Sequence, residues 1–345
     1  MRAVAVVEPG KVEIVDLGKP KPGPYQAVVK TEVACLCNAT DGKLVAGHFP
    51  GVDKYPLVLG HEGAGIVESA GRKVKNFKPG DRVIGGLVFS FSDPKFSSGW
   101  GGFCEYTLVN DHDAMVKDGV ADAKHGWFEC YEIQRKVDKD IPVEAAALLC
   151  TWREVYGGFG DFQLKPQDDM LVFGAGPVGL SFVKFGRLLK LGWIGLVDPL
   201  PHKRKRALAM GADAIFAPDS PELAELTKKR GKPLDAVIDA VGNENIINAG
   251  LPLIKLGGTI GVYGVLAAQR LQVDKAKGPY NFNLFMHQWP TRFREHAAQK
   301  PLCQWIRQGK LQPADYITHE FPLEKIADAL EAVRSGNVVK CLLRY

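Results

Sequence analysis

The sequence lacks an apolar run long enough to cross a membrane as a helix, and it lacks a stripe of one charge sign. Its basic and acidic residues are interspersed, with a net charge of +5, so we expect neither a membrane nor a nucleic-acid partner. We also expect no secretion signal, because residues 1–7 already show an alternating strand pattern.

Cysteine is scarce and odd in number, with seven residues in a chain of 345. An odd count without a secretion signal argues against a disulfide framework. It predicts reduced thiols in the cytoplasm, some of them available to a metal. The length is sufficient for two domains.

A strand, a glycine turn, a helix and a second strand follow one another over residues 171–198, LVFGAGPVGLSFVKFGRLLKLGWIGLVD. The G-x-G-x-x-G spacing allows a tight turn and close approach of the backbone to a pyrophosphate. An acid 19 residues past the last glycine is placed to bind both ribose hydroxyls and to repel a 2′-phosphate. The pattern predicts a dinucleotide site that prefers NAD over NADP, the alternative being a purely structural glycine turn. The residues assigned to this site are Gly174, Gly176, Pro177, Val178, Gly179 and Asp198.

Two kinds of strand pattern divide the chain. Residues 1–110 contain short apolar or alternating runs separated by proline and glycine, as in a partly open β-barrel. After Pro142, strands alternate with helical segments, which predicts a doubly wound parallel sheet. The last strand resembles the first ones, so we predict a discontinuous barrel domain (1–150 and 290–345) around a Rossmann domain (151–289). The polar stretch 111–140 is interpreted as a surface excursion, with a substrate lid as the alternative.

Soft metal ligands are scattered through the first 150 residues. Cys37 lies in CNATD, His61 and Glu62 lie in GHEGAG, and Cys150 lies in LCTWREVY. Two thiolates and an imidazole suit zinc and leave a fourth position for a substrate oxygen. Zinc with an open position acts as a Lewis acid, which suits the oxidation of an alcohol by a nicotinamide. Each ligand alone is weak evidence, because single cysteines and histidines are more often structural.

Together these motifs resemble the zinc-dependent medium-chain alcohol and polyol dehydrogenases over nearly the whole chain. The resemblance is carried by GHEGAGIVESAG, KPGDRV, GGFCEY, EAAALLC and VFGAGPVGL. It implies an α/β fold with a GroES-like catalytic domain, a Rossmann coenzyme domain and a cleft between them. It also implies zinc on Cys37, His61 and Cys150, a ligand set known for this family. Glu62 matches an acid beside the metal, and Thr40 matches the hydroxyl that passes the alcohol proton outward.

Several residues depart from the family pattern. Two residues separate Cys37 from Thr40, one more than usual, so either a bulge absorbs the extra residue or Ala39 takes the hydroxyl position. Lys43 replaces the usual relay histidine; it serves the relay if it is desolvated, or else it is simply exposed. Residues 85–101 contain no cysteine, so the four-cysteine structural zinc lobe of many relatives is missing and we predict one catalytic zinc per chain.

The resemblance also assigns residues around the cofactor. Tyr263 and Val265 match the strand end that meets the nicotinamide carboxamide, and Gly242 matches the turn over the adenosine ribose. Lys203 lies in the basic run 202–206, interpreted as the exposed start of a helix or as a contact to the adenosine end. Relatives associate by extending the coenzyme sheet across a twofold axis. We therefore expect a homodimer or homotetramer, with residues 257–265 as the candidate edge.

The expected activity is zinc- and NAD-dependent oxidation of a secondary alcohol to a ketone. Arg153 and Glu154 are polar where relatives for simple alcohols carry small or apolar residues, and Glu154 stands where a threonine near the nicotinamide is common. Polar groups at this point favour a polyol, sugar or cyclitol, unless both point outward as a weak ion pair. The alternatives are a simple-alcohol dehydrogenase, a zinc-free quinone or enoyl reductase, and an NAD-binding protein without activity.

Overall fold

The computed structural model describes all residues, 1–345, and they form two compact units. The first comprises Met1–Cys150 and Gln299–Tyr345, and the second comprises Thr151–Ala298. The sequence places the second boundary after residue 289, whereas the structure places it at residue 298. The difference arises because a single helix, Arg292–Arg307, runs through this boundary without a break.

The first unit is mainly β-structure. Its strands are β1 (Arg2–Glu8), β2 (Lys11–Asp16), β3 (Gln26–Leu36), β4 (Leu57–Val58), β5 (Gly63–Ala70), β6 (Arg82–Ile84), β7 (Ser97–Ser98), β8 (Tyr106–Asn110) and β9 (Arg135–Val137). The helices in this part of the chain are α1 (Thr40–Ala46), α2 (His112–Lys117) and α3 (Val143–Asp161), the last of which continues into the second unit. Strands β2, β1, β4 and β7 form one sheet.

The second unit carries a parallel sheet. Its strands are β10 (Met170–Phe173), β11 (Ile194–Val197), β12 (Ala214–Phe216), β13 (Leu234–Asp239), β14 (Ile254–Val262) and β15 (Asn283–Met286). The helices that follow α3 are α4 (Pro177–Leu188), α5 (Pro201–Ala209), α6 (Pro221–Ala224), α7 (Leu226–Arg230), α8 (Glu244–Gly250) and α9 (Arg292–Arg307). The strand order is β12-β11-β10-β13-β14-β15, and every pairing is parallel. The central strands β10 and β11 are four-residue apolar runs that are buried throughout, as strands covered on both faces must be.

The chain then returns to the first unit through β16 (Ile317–Pro322), α10 (Ile326–Arg334) and β17 (Lys340–Arg344). Strand β17 pairs antiparallel with β3, and the larger sheet of this unit has the order β16-β17-β3-β5-β6-β9, with β8 also paired to β3. The predicted return of the last strand is therefore confirmed, as is the two-part fold class. None of the helices is both long and apolar enough to span a membrane.

Residues 116–129 of the 111–140 stretch are all exposed or half-buried, as expected of a surface excursion, but both ends of the stretch pack into the barrel. Strand β9 pairs with β6 in the larger sheet, and Met115 and Tyr131 pack with Leu87 in a buried cluster. Gln134 is buried, donates to the carbonyl of Gly85 at 2.6 Å and accepts from the backbone N–H of Asn110 at 2.7 Å. These contacts anchor the stretch to the barrel.

One prediction about the second unit fails, because the sequence gives no local signal for one strand. Residues 280–294 contain β15, a short run without alternation, and the first turn of α9. As a result β14, which holds most of the predicted oligomer edge 257–265, lies between β13 and β15. The edge strand on this side of the sheet is therefore β15, and β12 is the edge strand on the other side.

Candidate active site

Three of the predicted metal ligands meet at one end of two neighbouring strands. Cys37 follows β3 directly, and His61 and Glu62 immediately precede β5, which pairs antiparallel with β3. The end of one strand therefore lies beside the start of the other. The Cys37 Sγ, a ring nitrogen of His61 and a carboxylate oxygen of Glu62 all lie within 4.8 Å of one another. A sulfur, a nitrogen and an oxygen at this spacing fit a tetrahedral zinc ion, whose bonds to such ligands are about 2.0–2.3 Å.

A buried carboxylate lies behind the imidazole. Asp41 is 1% exposed; its Oδ2 accepts the Cys37 N–H at 2.8 Å, and its Oδ1 lies 3.6 Å from His61 Nδ1. Neither Asp41 Oδ1 nor His61 Nδ1 has a hydrogen-bond partner of its own. Burial raises the pKa of Asp41 to about 7, against the opposing effect of His61. A carboxylate that faces one ring nitrogen leaves the other, Nε2, to a metal, which is the usual arrangement around zinc-binding histidines.

Glu62 is held on its other side by a buried lysine. Lys340 Nζ, in β17, donates to Glu62 Oε1 at 2.7 Å, and the two side chains are 1% and 5% exposed. Burial alone would lower the pKa of Lys340, but the charges of Glu62 and Cys37 outweigh it and raise that pKa above its usual value. Lys340 is thus a charged part of the site that sequence reasoning missed.

Cys150 lies in the middle of α3 and is buried. Its sulfur is not among the three ligand atoms that lie within 4.8 Å of one another. It lies within electrostatic range of Cys35, because the pKa of the Cys35 thiol is raised chiefly by burial and in smaller part by Cys150 and Glu62. The assignment of Cys150 as the third zinc ligand stays a prediction.

The extra residue after Cys37 is absorbed in a turn. The Asp41 N–H donates to the Cys37 carbonyl at 3.0 Å, and α1 begins at Thr40 with Ala39 as its N-cap residue. Ala39 is exposed and Thr40 is half-buried, as is Lys43 one turn further along α1. The extra residue is therefore accommodated without a break between Cys37 and the helix. The relay roles of Thr40 and Lys43 remain predictions.

An aromatic residue that sequence reasoning also missed packs on the imidazole of His61. The ring of Trp100 lies 5.5 Å from that of His61, and 5.5 Å from Phe49 in an edge-to-face arrangement. The backbone of Trp100 has φ 72°, a left-handed conformation that is costly for a bulky residue. The only sequence signal for it is the pair of glycines on either side, in SGWGG.

In the second unit, the glycine turn has the geometry that its spacing predicts. Gly174 has φ 102°, and a Cβ on Gly179 would lie 1.8 Å from the Gly174 carbonyl oxygen, so no larger residue fits there. Helix α4 begins at Pro177, with Gly176 as its N-cap, and Val178 follows in the first turn. Proline has no backbone N–H, and at the first helical position an N–H would have no partner within the helix in any case. The first N–H groups of α4 are thus available for a phosphate.

Asp198 directly follows β11 and lies at the glycine turn. Its Oδ2 accepts the Ala175 N–H at 2.8 Å, and its Oδ1 accepts the Leu200 N–H at 2.8 Å. The carboxylate is 7% exposed and so has a fixed position. Lys203 lies in the first turn of α5 and is half-buried, while its neighbour Arg204 donates to the Asp198 carbonyl at 2.6 Å.

The other predicted cofactor residues lie at the ends of β13 and β14. Asp239 accepts the N–H groups of Val241 and Gly242 at 2.8 and 2.9 Å, which shapes the turn after β13. Gly242 has φ 85°, and a Cβ there would lie 2.5 Å from the Val265 carbonyl oxygen. These two segments therefore lie in contact. The Tyr263 hydroxyl donates to Glu154 Oε2 at 3.4 Å.

Arg153 takes neither of the two positions that the sequence suggests, which are a contact to the substrate and a weak ion pair at the surface. It is fully buried, and its Nη2 lies 3.7 Å from Oε1 of Glu295, which is 1% exposed. It therefore neither points outward beside Glu154 nor presents a free cation to a substrate. The sequence offers no signal for this pair, because its members are separated by more than a hundred residues.

Comparison with known proteins places the chain in a family. The alcohol dehydrogenase GroES-like domain matches residues 23–119, and the zinc-binding dehydrogenase domain matches residues 210–339. The NADP-dependent isopropanol dehydrogenase of Thermoanaerobacter brockii is 31% identical over 270 residues, which cover 75% of this chain and 74% of that protein.

Solved structures share the fold over the whole chain. Benzyl alcohol dehydrogenase from Acinetobacter calcoaceticus matches with a TM-score of 0.82 at 19% identity, covering 99% of this chain and 98% of that one. The 2R,3R-butanediol dehydrogenase of Bacillus subtilis matches with a TM-score of 0.80 at 20% identity, covering 100% and 99%. The fold and site thus define a two-domain dehydrogenase. The chain belongs to the zinc-dependent medium-chain alcohol dehydrogenase family.

Proposed function

We propose that this dehydrogenase uses zinc and NAD to oxidise a secondary alcohol to a ketone. The observation that carries the proposal is the Cys37–His61–Glu62 group, with Asp41 behind the histidine and Lys340 behind the glutamate. Cys37 and His61 would hold zinc, with Cys150 as the third ligand. When bound, zinc supplies a Lewis acid for the alcohol oxygen, and the nicotinamide accepts the hydride.

The residues of the chain have distinct tasks in this proposal. Asp41 keeps the proton of His61 on Nδ1, so that Nε2 presents its lone pair to the metal. Lys340 neutralises Glu62 and keeps its carboxylate beside the metal site. Thr40 and Lys43 lie three residues apart on α1, hence on one side of it, and would pass the alcohol proton toward water.

The preference for NAD over NADP rests on Asp198. Its carboxylate is fixed by two backbone N–H groups at the carboxyl end of β11, where it would meet the adenosine ribose. A fixed negative charge there repels a 2′-phosphate. The 31% identical relative is named as NADP-dependent, so the coenzyme choice is a point on which this chain would differ from it.

We further propose a polyol, sugar or cyclitol as the substrate, on the strength of Glu154. It lies four residues after Cys150 on α3, so both side chains leave the same face of the helix. A carboxylate one turn from a zinc ligand is suited to accept a hydrogen bond from a second substrate hydroxyl. Turnover of sorbitol and myo-inositol should exceed that of hexan-2-ol, and Glu154→Ala should lower kcat/KM for the polyols alone. Preference for hexan-2-ol would favour a simple-alcohol dehydrogenase.

The experiment that tests the activity itself is metal analysis of the purified protein and of two variants. Cys37→Ala and His61→Ala should lose zinc and alcohol oxidation while they still bind NADH, because the glycine turn lies in the other unit. Cys303→Ala, which removes a buried thiol from α9, is the matched control and should keep both. A wild-type protein without zinc that reduces quinones or enones would instead be a zinc-free reductase.

For the assembly, we propose a homodimer or homotetramer formed through β15. The outer edge of this strand pairs with no other strand of the chain, and Met286, Trp289 and Phe293 nearby are 42%, 53% and 62% exposed. An exposed apolar strand edge is a natural pairing site for a second copy. Sedimentation should give a dimer or tetramer mass for the wild type and a monomer for Met286→Lys. A monomeric wild type would exclude this assembly.

A further inference from the structure

The buried ion pair between Arg153 and Glu295 has no task in the proposed reaction. Arg153 lies on α3 and Glu295 in the first turn of α9, and both side chains are essentially inaccessible. Arg292 donates to the other oxygen of Glu295 at 2.7 Å, so one carboxylate serves two guanidinium groups. Charged side chains are seldom buried so completely, and an arginine held this way has one defined position.

Stability does not account for the pair. A buried ion pair commonly gives no more stability than apolar residues of the same volume, because both charges lose their hydration. What it does provide is a charge-to-charge contact between two elements, with Nη2 and Oε1 3.7 Å apart. On α3, Arg153 lies three residues after Cys150 and directly before Glu154. A contact at Arg153 would therefore fix the positions of these two residues.

Helices α3 and α9 are built to pack closely at this point. A Cβ on Gly157 would lie 3.3 Å from the Cβ of Arg294, so the absence of a side chain there lets α9 approach. A second polar contact lies further along the same two helices, where Asp161 Oδ1 accepts from Thr291 Oγ1 at 2.8 Å and lies 3.1 Å from Arg294 Nε. Asp161 is about 16 Å along the axis from Cys150, or three turns. Of these two contacts, the Arg153–Glu295 contact is the one within one turn of the predicted ligand.

We propose that Arg153 and Glu295 are positioning residues, which hold the turn of α3 that carries Cys150 and Glu154 at the place required for zinc and substrate. This rests on the proposed function, in which Cys150 is the third zinc ligand. Neither residue touches the reacting atoms. They act by fixing where the ligand-bearing turn lies, since a ligand displaced by a fraction of an ångström loses metal affinity and rate.

The test compares Arg153→Met with the double variant Arg153→Met/Glu295→Met, which replaces the ion pair by an apolar pair. The single variant removes one of the two guanidinium groups that face Glu295, so both Tm and zinc affinity should fall. The double variant should regain only part of the Tm, because Arg292 loses the Glu295 carboxylate as well, while its zinc dissociation constant, measured by chelator competition, stays at least about tenfold above wild type. With zinc in excess, kcat should fall and KM for NAD should not change. Recovery of zinc affinity together with Tm in the double variant would overturn the proposal.

Arg294→Met is the matched control, because it breaks the other ion pair between the same helices. It should lower Tm without changing zinc affinity, and an equal loss of zinc affinity would mean that general helix packing is responsible. If the methionine variants do not fold, Arg153→Lys keeps the charge but loses the planar fork. It should fold with a zinc affinity below wild type, and an unchanged affinity would overturn the proposal. Failure of the proposed function is separate: Cys150→Ala would then bind zinc as the wild type does.

Discussion

Lys340 Nζ and Glu62 Oε1 form a 2.7 Å hydrogen-bonded ion pair in which both side chains are almost completely buried. Glu62 is also one of the three groups that converge on the predicted zinc position. The lysine belongs to the last strand, β17, and the glutamate to the segment just before β5. The site is therefore complete only when β17 pairs with β3 in the first unit. The pair determines which way the carboxylate is directed.

Removal of the cation should therefore destabilise the metal-free protein and change its response to zinc. Lys340→Met leaves Glu62 buried without its cation, which typically costs about 3–5 kcal/mol of unfolding free energy. Lys340→Met/Glu62→Gln should recover most of that loss in urea unfolding. Because the freed carboxylate can turn to the metal, zinc should raise the Tm of the single variant more than that of wild type. A Lys340→Met protein as stable as wild type would contradict this account.

Asp41 should control zinc affinity through the imidazole of His61. Asp41→Asn keeps the size of the side chain but removes the charge that faces Nδ1. Loss of such a supporting carboxylate typically costs about 10–100-fold in metal affinity. Competition with a chromophoric chelator measures the dissociation constant. Asp53→Asn, an exposed position in the loop after α1, serves as the control and should bind zinc as wild type does. Equal affinities in both variants would argue against a role for Asp41.

The coenzyme preference can be separated from the geometry of the turn. Asp198→Asn removes the charge but retains an oxygen that can accept a backbone N–H, whereas Asp198→Ala removes both. We expect the ratio of kcat/KM for NADP to that for NAD to rise about tenfold or more in the asparagine variant, since a hydrogen bond to a charged group contributes roughly 1.5–3 kcal/mol. The alanine variant should also bind both coenzymes more weakly. Asp219→Asn, exposed after β12, should leave the ratio unchanged, and no change in either Asp198 variant would reject the assignment.

Much of the fold is predictable because it is encoded locally. The glycine turn, the apolar runs of β10 and β11 and the change of period after Pro142 each require only neighbouring residues. Strand β15 escapes prediction for the same reason, since four residues with no alternation give no local signal. Only pairing with β14 makes that segment a strand.

The site is predictable where motifs carry it and unpredictable where distant residues complete it. Cys37, His61 and Glu62 lie in recognisable motifs, and the structure brings their ligand atoms together. Lys340 and Glu62 are separated by 278 positions, and only the pairing of β17 with β3 brings them into contact. Arg153 shows the opposite error, because a charged residue beside Glu154 indicates either a substrate contact or a surface ion pair, whereas the structure buries it against the distant Glu295.

Acid should destabilise the first unit partly through Asp111, which joins the 111–140 stretch to the barrel. Its buried carboxylate accepts the N–H groups of Lys75 and Asn76 at 2.6 and 2.8 Å and caps α2 through Ala114 N–H. Burial opposes ionisation, but these hydrogen bonds outweigh it and hold the pKa of Asp111 below its usual value. A depressed pKa in the folded state means that the stabilisation is complete above the ordinary pKa of about 3.9 and disappears as the pH falls through the lower, folded value.

Asp111→Asn should therefore lower the unfolding free energy by about 1–3 kcal/mol near pH 7, because buried N–H groups lose a charged acceptor. The difference from wild type should shrink as the pH falls below about 3.9, where the wild-type carboxylate begins to protonate in the unfolded chain. Urea unfolding over a series of pH values measures both quantities. Asp113→Asn is the matched control, since Asp113 is exposed in the same helix and pairs with Arg135 at the surface. It should change stability by less than about 0.5 kcal/mol. A pH-independent difference for Asp111→Asn would show that the carboxylate charge contributes nothing to the anchoring of this stretch.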